Sequence, residues 1–273
     1  MATLTEDRFR RIATFAKSRW GLDLSERKRL LVANRLASFL RKSKQYDSVD
    51  AYLDHLERGA TEEDMLVFFD LLSTNVTSFF RDAQHFNVLD REIYQPLRNG
   101  TSTRPGRKLK LWSAACSMGC EPYSMAIHAL EQLPSSEGFD VRILATDLAG
   151  SVLRKAADGV YSAEVCSKLS PERRKNHTEP VPGSTDLRIR REARSMVTFR
   201  SHNLMDPPPQ GGPFDAIFCR NVMIYFDRPT REKLVNRLAG VLRPGGILAV
   251  GSAETLSGID SPLEPLAASV YRR

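Results

Sequence analysis

Long apolar runs, paired cysteines and clustered glycines are scarce in this chain of 273 residues. No stretch approaches the roughly 20 consecutive apolar residues that a membrane-spanning helix requires, so no direct membrane insertion is expected. The opening, Met1-Ala2-Thr3-Leu4-Thr5-Glu6-Asp7, has neither the basic start nor the apolar segment of a secretory signal. A cytoplasmic protein is expected. Four cysteines, Cys116, Cys120, Cys166 and Cys219, follow no metal-ligand spacing. With no second pair or histidine partner nearby, they read as small buried thiols, and no metal is expected. A Gly-x-Gly-x-x-Gly loop is also missing, which disfavours a dinucleotide.

What is present is an ordinary hydrophobic fraction of 41%, enough to bury a core. Forty basic residues against 33 acidic ones leave a net charge of +7. That balance favours an acidic partner, whether nucleic acid, an anionic membrane face or a glutamate-rich protein, and does not choose among them.

Residues 1–97 read as an all-helical domain. Ser25 is placed to cap a helix with Leu30, Ala33, Leu36 and Leu40 at its apolar positions. Ser48 opens another that ends at Gly59, and Thr61-Glu62-Glu63-Asp64 resembles a capping box ahead of Met65–Leu72. Phe86, Leu89, Ile93 and Leu97 hold helical spacing over 83–97. Residues 98–108 are polar and rich in turn formers, which predicts a linker. Over 109–273 short apolar strands alternate with helices, with strands at 109–115, 141–146, 214–219, 247–250 and 268–272. The alternation predicts an α/β fold with a doubly wound, mostly parallel sheet. Residues 161–200 interrupt it, and the polar-faced stretches 187–191 and 196–200 predict a small antiparallel β insertion.

Ligands of open parallel sheets bind beyond the carboxyl ends of the strands. After strand 109–115 comes Cys116-Ser117-Met118-Gly119-Cys120-Glu121-Pro122, where Gly119 permits close backbone approach to a ligand and Pro122 suits the first helical turn. Asp147 ends the next strand. It is placed either to accept both hydroxyls of a ribose or to cap the helix over 149–157. A single-glycine loop joined to a ribose acceptor fits a nucleoside without pyrophosphate, of which S-adenosylmethionine is the common example.

Four segments carry a resemblance. Asn75-Val76-Thr77-Ser78-Phe79-Phe80-Arg81, Trp112 through Ser124, Phe218-Cys219-Arg220-Asn221-Val222-Met223-Ile224-Tyr225-Phe226, and Gly251-Ser252-Ala253-Glu254-Thr255-Leu256 are similar, in this order, to signatures of the CheR-type chemotaxis receptor methyltransferases. The cofactor loop departs from that pattern at Met118, where Thr is usual, and at Cys120, where Glu is usual. The resemblance implies a class I S-adenosylmethionine methyltransferase domain with the β insertion and the helical N-terminal domain. It implies methyl transfer to glutamate carboxylates of chemotaxis receptors, giving glutamyl methyl esters and S-adenosylhomocysteine.

The same resemblance implies the residue roles. Asn75, Thr77 and Arg81 would reach over the cofactor's methionyl end, and Glu121, in the loop with Gly119, would bind its ammonium group. Asp147 would hold the ribose, Asn203 and Leu204 would meet the adenine, and Arg220 with Asn221 would line the strand end. Arg81 and Tyr225 would lie nearest the transferred methyl. The expected partner is the cytoplasmic helical region of a receptor, greeted by Arg27, Lys28, Arg29, Arg35, Arg41, Lys42 and Lys44, with the β insertion as a possible seat for a receptor C-terminal peptide. Asp206-Pro207-Pro208-Pro209 resembles the Asp-Pro-Pro-Tyr of amino-directed DNA methyltransferases. It precedes strand 214–219 and lacks the Tyr, so it reads as a loop and no nucleic-acid partner is expected. The alternatives are a nucleic-acid methyltransferase and a non-catalytic S-adenosylmethionine-binding regulator.

Overall fold

The computed structural model describes residues 4–73, 77–102, 106–133 and 137–273. The chain divides into two compact units, Met1–Asn75 with Ile224–Thr230, and Val76–Met223 with Arg231–Arg273.

The first unit contains the helices α1 (Glu6–Trp20), α2 (Arg29–Ser43), α3 (Val49–Arg58) and α4 (Glu62–Leu72). Helix α1 was not expected from the sequence, although Phe9, Ile12, Ala16 and Trp20 recur at helical spacing and are all buried. Ser25 makes no capping bond. A 3-10 turn, Glu26–Lys28, follows it, and α2 starts only at Arg29. The core takes Val32 and Leu36 from α2, while Leu30 is 73% exposed. Residues 30–33 are apolar in succession, so spacing alone admits more than one inward face. Ser48 caps α3 by accepting the Ala51 N–H at 3.1 Å. At the start of α4 the Thr61 hydroxyl accepts the Asp64 N–H, and the Asp64 carboxylate accepts the Thr61 N–H at 2.9 Å. Aspartate therefore completes the reciprocal box where a longer acid is usual. Phe68 packs against Trp20 and Tyr52, with ring centroids 6.0 and 5.8 Å away. The segment 224–230 joins this unit through a bridge from Phe226 to Leu22, a 2.6 Å bond from the Asp23 N–H to the Tyr225 carbonyl, and a Lys17–Asp227 ion pair at 2.9 Å.

The second unit opens with α5 (Ala83–Leu89), one π-helical stretch (Asp90–Tyr94) and α6 (Gln95–Arg98). Phe86, Leu89, Ile93 and Tyr94 share one buried core with Leu109, Leu111, Ala126 and Phe218. The helical stretch that was expected to close the N-terminal domain at residue 97 thus belongs to the sheet-bearing unit. Helical spacing announces a buried face without saying which core receives it.

Strands and helices then alternate: β1 (Lys108–Ala114), α7 (Cys120–Gln132), β2 (Asp140–Asp147), α8 (Gly150–Asp158), β3 (Val160–Tyr161), α9 (Ala163–Cys166), α10 (Pro171–His177), β4 (Thr178–Pro180), β5 (Leu187–Ile189), α11 (Arg191–Arg194), β6 (Val197–Ser201), β7 (Phe214–Cys219), α12 (Arg228–Val241), β8 (Leu242–Ala249), β9 (Glu264–Ala267) and β10 (Val270–Arg272). Seven strands form one sheet in the order β6-β2-β1-β7-β8-β10-β9. The first five in that order are parallel, and β10 is antiparallel to β8 and β9. All of β7 is buried, as a strand covered on both faces should be.

The antiparallel insertion is present as β3-β5-β4. It is smaller than expected, because the strand read at 196–200 is β6, the parallel edge strand of the large sheet beside β2. Its half-exposed pattern comes from that edge position. Strand order reverses between β1 and β7, so their carboxyl ends flank the crevice where such sheets take ligands.

Candidate functional site

Three positive φ values in five residues shape the loop after β1: Ala115 at 63°, Ser117 at 50° and Gly119 at 86°. Non-glycine residues adopt that region at a cost, so something must hold them. The buried Asp147 carboxylate at the end of β2 does so, accepting the Ser117 N–H at 2.7 Å and the Ala149 N–H at 3.0 Å. It fastens the β1 loop to the start of α8. The Cys116 N–H adds a 2.8 Å bond to the Thr146 carbonyl. A Cβ on Gly119 would stand 2.8 Å from the Ala156 Cβ and 3.0 Å from the Tyr161 hydroxyl. The close approach that Gly119 allows is therefore to α8 and β3. The Tyr161 hydroxyl donates to the Met118 carbonyl at 2.6 Å and completes this edge of the loop.

Glu121, in the first turn of α7, meets Arg220 at the end of β7. One Glu121 oxygen accepts the Ser113 hydroxyl at 2.7 Å, and the other accepts Arg220 Nη1 at 3.0 Å. Arg220 Nη2 also donates to the Arg81 carbonyl at 2.8 Å and to the Asp82 carboxylate at 2.5 Å. The Arg220 side chain is only 3% exposed. Burial pushes the Glu121 pKa up, against the Arg220 charge, the Ser113 and Arg220 bonds and the Arg81 charge. For Asp82 burial pulls the same way, but the bond and charge of Arg220 outweigh it and hold the carboxyl below its ordinary value. Phe80 and Asp82, on either side of Arg81, have φ of 50° and 53°. The Ser124 hydroxyl pins this turn by accepting the Phe80 N–H at 2.9 Å.

Asn221 follows Arg220 with φ at 58°. The buried Glu254, beyond β8, accepts the Asn221 N–H at 2.8 Å and the Gly251 N–H at 2.6 Å. Beyond β6, the Asn203 side-chain oxygen accepts the Met205 N–H at 3.0 Å, Leu204 is buried, and Arg237 donates to the Met205 carbonyl. The His202 N–H bonds the Asp147 carbonyl at 3.0 Å, which ties this loop to the end of β2.

Arg81, Gly119, Glu121, Asp147, Asn203, Leu204, Arg220 and Asn221 all fall in the second unit. Glu121 lies in the first turn of α7, Asp147 ends β2, Arg81 precedes α5, and the others lie on loops that follow parallel strands. Thr77 lies there too and is half-buried. Tyr225 belongs to the first unit, where the Lys28 ammonium stands 4.2 Å from its ring centroid. Burial lowers the Lys28 pKa. Asn75 lies outside the described residues. The four thiols are buried, and burial raises their pKa values, Cys120 to about 12, which suppresses thiolate chemistry.

Asp82, Ser113, Ser124 and Glu254 lie inside or beside the quoted segments but received no role from sequence. Ser113 and Ser124 carry a usable signal, since each is a polar residue among apolar neighbours and is fully buried. Asp82 and Glu254 carry none, because partners 138 and 33 residues away define them.

Two family descriptions match the chain: "CheR methyltransferase, all-alpha domain" over residues 7–73 and "CheR methyltransferase, SAM binding domain" over residues 75–272. Among similar proteins, the chemotaxis protein methyltransferase of Borreliella burgdorferi is 34% identical over 99% of this chain and 95% of its own length. That of Salmonella typhimurium is 37% identical over 94% and 86%, and that of Escherichia coli 35% over 98% and 91%.

Proposed function

This chain belongs to the CheR methyltransferase family, and from that premise we propose that it transfers the methyl group of S-adenosylmethionine to glutamate carboxylates of a chemotaxis receptor. S-adenosylmethionine-dependent methylation in chemotaxis is the activity that membership carries. The glutamyl ester, the receptor and the residue roles are our reading. The observation that carries it is a pair of carboxylates, the partly buried Glu121 and the buried Asp147, anchored at the carboxyl ends of neighbouring parallel strands.

The donor set suits this cofactor. Glu121 is held by the Ser113 hydroxyl and Arg220, and Asp147 by the Ser117 and Ala149 N–H groups, so both are fixed as oriented hydrogen-bond acceptors. A carboxylate fits the cofactor's ammonium group, and another fits a vicinal diol. In this reading Glu121 takes the ammonium and Asp147 the ribose, with Asn203 and Leu204 at the adenine and Arg220 and Asn221 along the strand end. Thr77 covers the methionyl end, a role the family resemblance also gives Asn75, which lies outside the described residues.

The bound cofactor supplies a methyl group on a sulfonium. A substrate glutamate, with a reference pKa of about 4.3, is ionised at neutral pH and attacks without a general base. The protein's task is alignment and exclusion of water. Arg81 orients the incoming carboxylate, and Tyr225 donates a hydrogen bond near the reacting oxygen. The exposed Arg27, Arg41, Lys42 and Lys44 offer an acidic receptor helix a basic surface, and the three-stranded insertion offers a seat for its C-terminal peptide. Arg35 is committed elsewhere, donating to the Leu71 and Ser73 carbonyls behind α4. We place the protein in the cytoplasm, where such a receptor presents its helical region.

The test is the product. Label from the cofactor's methyl group should enter receptor protein and become volatile in mild base, as an ester's methanol does. Base-stable label, or label removed by nuclease, would overturn the reading.

A further inference from the structure

Arg220 is one cation held by two carboxylates. Its Nη1 reaches Glu121 at 3.0 Å, and its Nη2 reaches Asp82 at 2.5 Å and the Arg81 carbonyl at 2.8 Å. Were Glu121 its sole acidic partner, the pair would be neutral at short range, and Glu121 would offer little field to a cationic ligand group. Asp82 changes that balance. The Arg81 charge also acts on both carboxylates. With Asp82 present two acids therefore balance two guanidiniums, whereas without it Glu121 alone would face both. The neutral Ser113 hydroxyl on Glu121 does not alter that net positive imbalance. In a partly dehydrated crevice such an imbalance acts strongly on a cation several ångströms away. Asp82 can do this only because the chain holds it in the left-handed region at φ 53°, through the Arg220 bonds and the Ser124 bond to Phe80.

We propose that Asp82 is a positioning residue of the cofactor site, drawing off the Arg220 charge so that Glu121 faces the cofactor's ammonium group with its negative charge not outweighed. The proposal rests on the reading that this site takes S-adenosylmethionine. It assigns Asp82 no contact with the cofactor. Its effect passes through Arg220 to Glu121.

A pair of ligands isolates that effect: S-adenosylhomocysteine, and its deaminated analogue, which keeps the carboxylate and lacks the amine. Calorimetric titration of the full chain with both, in wild type and Asp82→Asn, is the experiment. Asparagine keeps the shape and an acceptor for Arg220 while removing the charge. The proposal expects S-adenosylhomocysteine to bind roughly tenfold more weakly to Asp82→Asn, with the analogue's affinity unchanged. Equal weakening of both ligands would make Asp82 merely structural, and no weakening of either would make it idle; both overturn the proposal. Asp82→Glu keeps the charge and should restore the difference between the two ligands. It is the variant to read should Asp82→Asn lose its native circular dichroism, and a ligand difference as small there as for a neutral residue would also overturn the proposal. Failure of the wild type itself to bind S-adenosylhomocysteine would instead strike the cofactor reading.

Discussion

Glu254 holds Asn221 in a left-handed backbone conformation, its Oε2 accepting the Asn221 N–H at 2.8 Å while also accepting that of Gly251 at 2.6 Å. The segment Gly251–Leu256 therefore acts on the segment Phe218–Phe226. Gly251 has no space for a side chain, because a Cβ would lie 2.6 Å from Asn221 Nδ2 and 2.7 Å from Glu254 Oε2. Gly251→Ala should push both groups aside, cost about 1–3 kcal/mol of stability, and weaken cofactor binding. Urea denaturation and calorimetry check the two effects, and full cofactor affinity in the folded variant would remove Asn221 from the site.

Asp147 carries two duties that separate by substitution. Its oxygens hold the Ser117 and Ala149 N–H groups, so Asp147→Ala should lose stability as well as affinity. Each charge-assisted bond removed is worth about 1.5–3 kcal/mol. Asp147→Asn retains one carbonyl acceptor and should fold better than the alanine variant while still binding S-adenosylhomocysteine more weakly. Thermal melts beside calorimetry test this, and an asparagine variant with undiminished affinity would leave Asp147 as a loop fastener alone.

Arg81 and Tyr225 are tested by turnover. Arg81 contributes its backbone carbonyl to Arg220, and a side-chain substitution spares that bond. Arg81→Ala should keep the native melting temperature within a few degrees and reduce methyl transfer at least tenfold, a loss of about 1.4 kcal/mol in transition-state stabilisation. Tyr225→Phe removes one hydroxyl and should lower kcat more than it changes the KM for cofactor. Wild-type rates in either variant would remove that residue from the reacting centre.

Much of this organisation was legible in the sequence because it is local. The alternation of apolar strands with helices over 109–273 fixes a parallel sheet, and a glycine after β1 with an acid after β2 marks the crevice. The illegible parts are long-range. Nothing near Phe86 or Ile93 says that their helix packs on β1 and β7. Nothing near Asp82 announces Arg220, 138 residues away. Gly119 reads from sequence as a close approach to a ligand, whereas the space its side chain would need is taken by Ala156 and Tyr161. Leu30 shows the limit of periodicity, since the unbroken apolar run of residues 30–33 lets the core choose the phase.

The basic surface needs residues whose charge is not already committed to the fold. Arg27 and Arg41 are exposed, whereas Arg35 ties α2 to the carbonyls behind α4. Arg27→Glu with Arg41→Glu should raise the KM for receptor and leave cofactor affinity alone, because attraction of exposed charges acts on encounter. The wild-type KM should rise with salt, since the screening length falls from about 10 Å at 0.1 M to about 3 Å at 1 M. A KM indifferent to both changes would make the helix an ordinary solvated face.

Acid sensitivity should come from buried imidazoles. His85 and His128 have their pKa values pushed down to about 4, in both cases chiefly by burial, with the Arg220 charge adding to the effect at His85. His177 and His202 shift in the same direction for the same leading cause. In the unfolded chain a histidine titrates near 6.5, so between about pH 6.5 and 4 the unfolded state binds more protons than the native one. Their neutral burial is therefore fully tolerated above about pH 6.5, and stability falls as pH drops toward 4. His85 and His128 each contribute up to about 3 kcal/mol to that loss. Glu121, with a raised pKa, works in the opposite sense over its own range. Asp227, lowered to about 2, contributes only at more acid pH. Urea unfolding at pH 7.5, 6 and 5 should show stability decreasing at each step, and His128→Leu should flatten the slope. A stability constant over that range in the wild type would show that neither imidazole is held neutral by its burial.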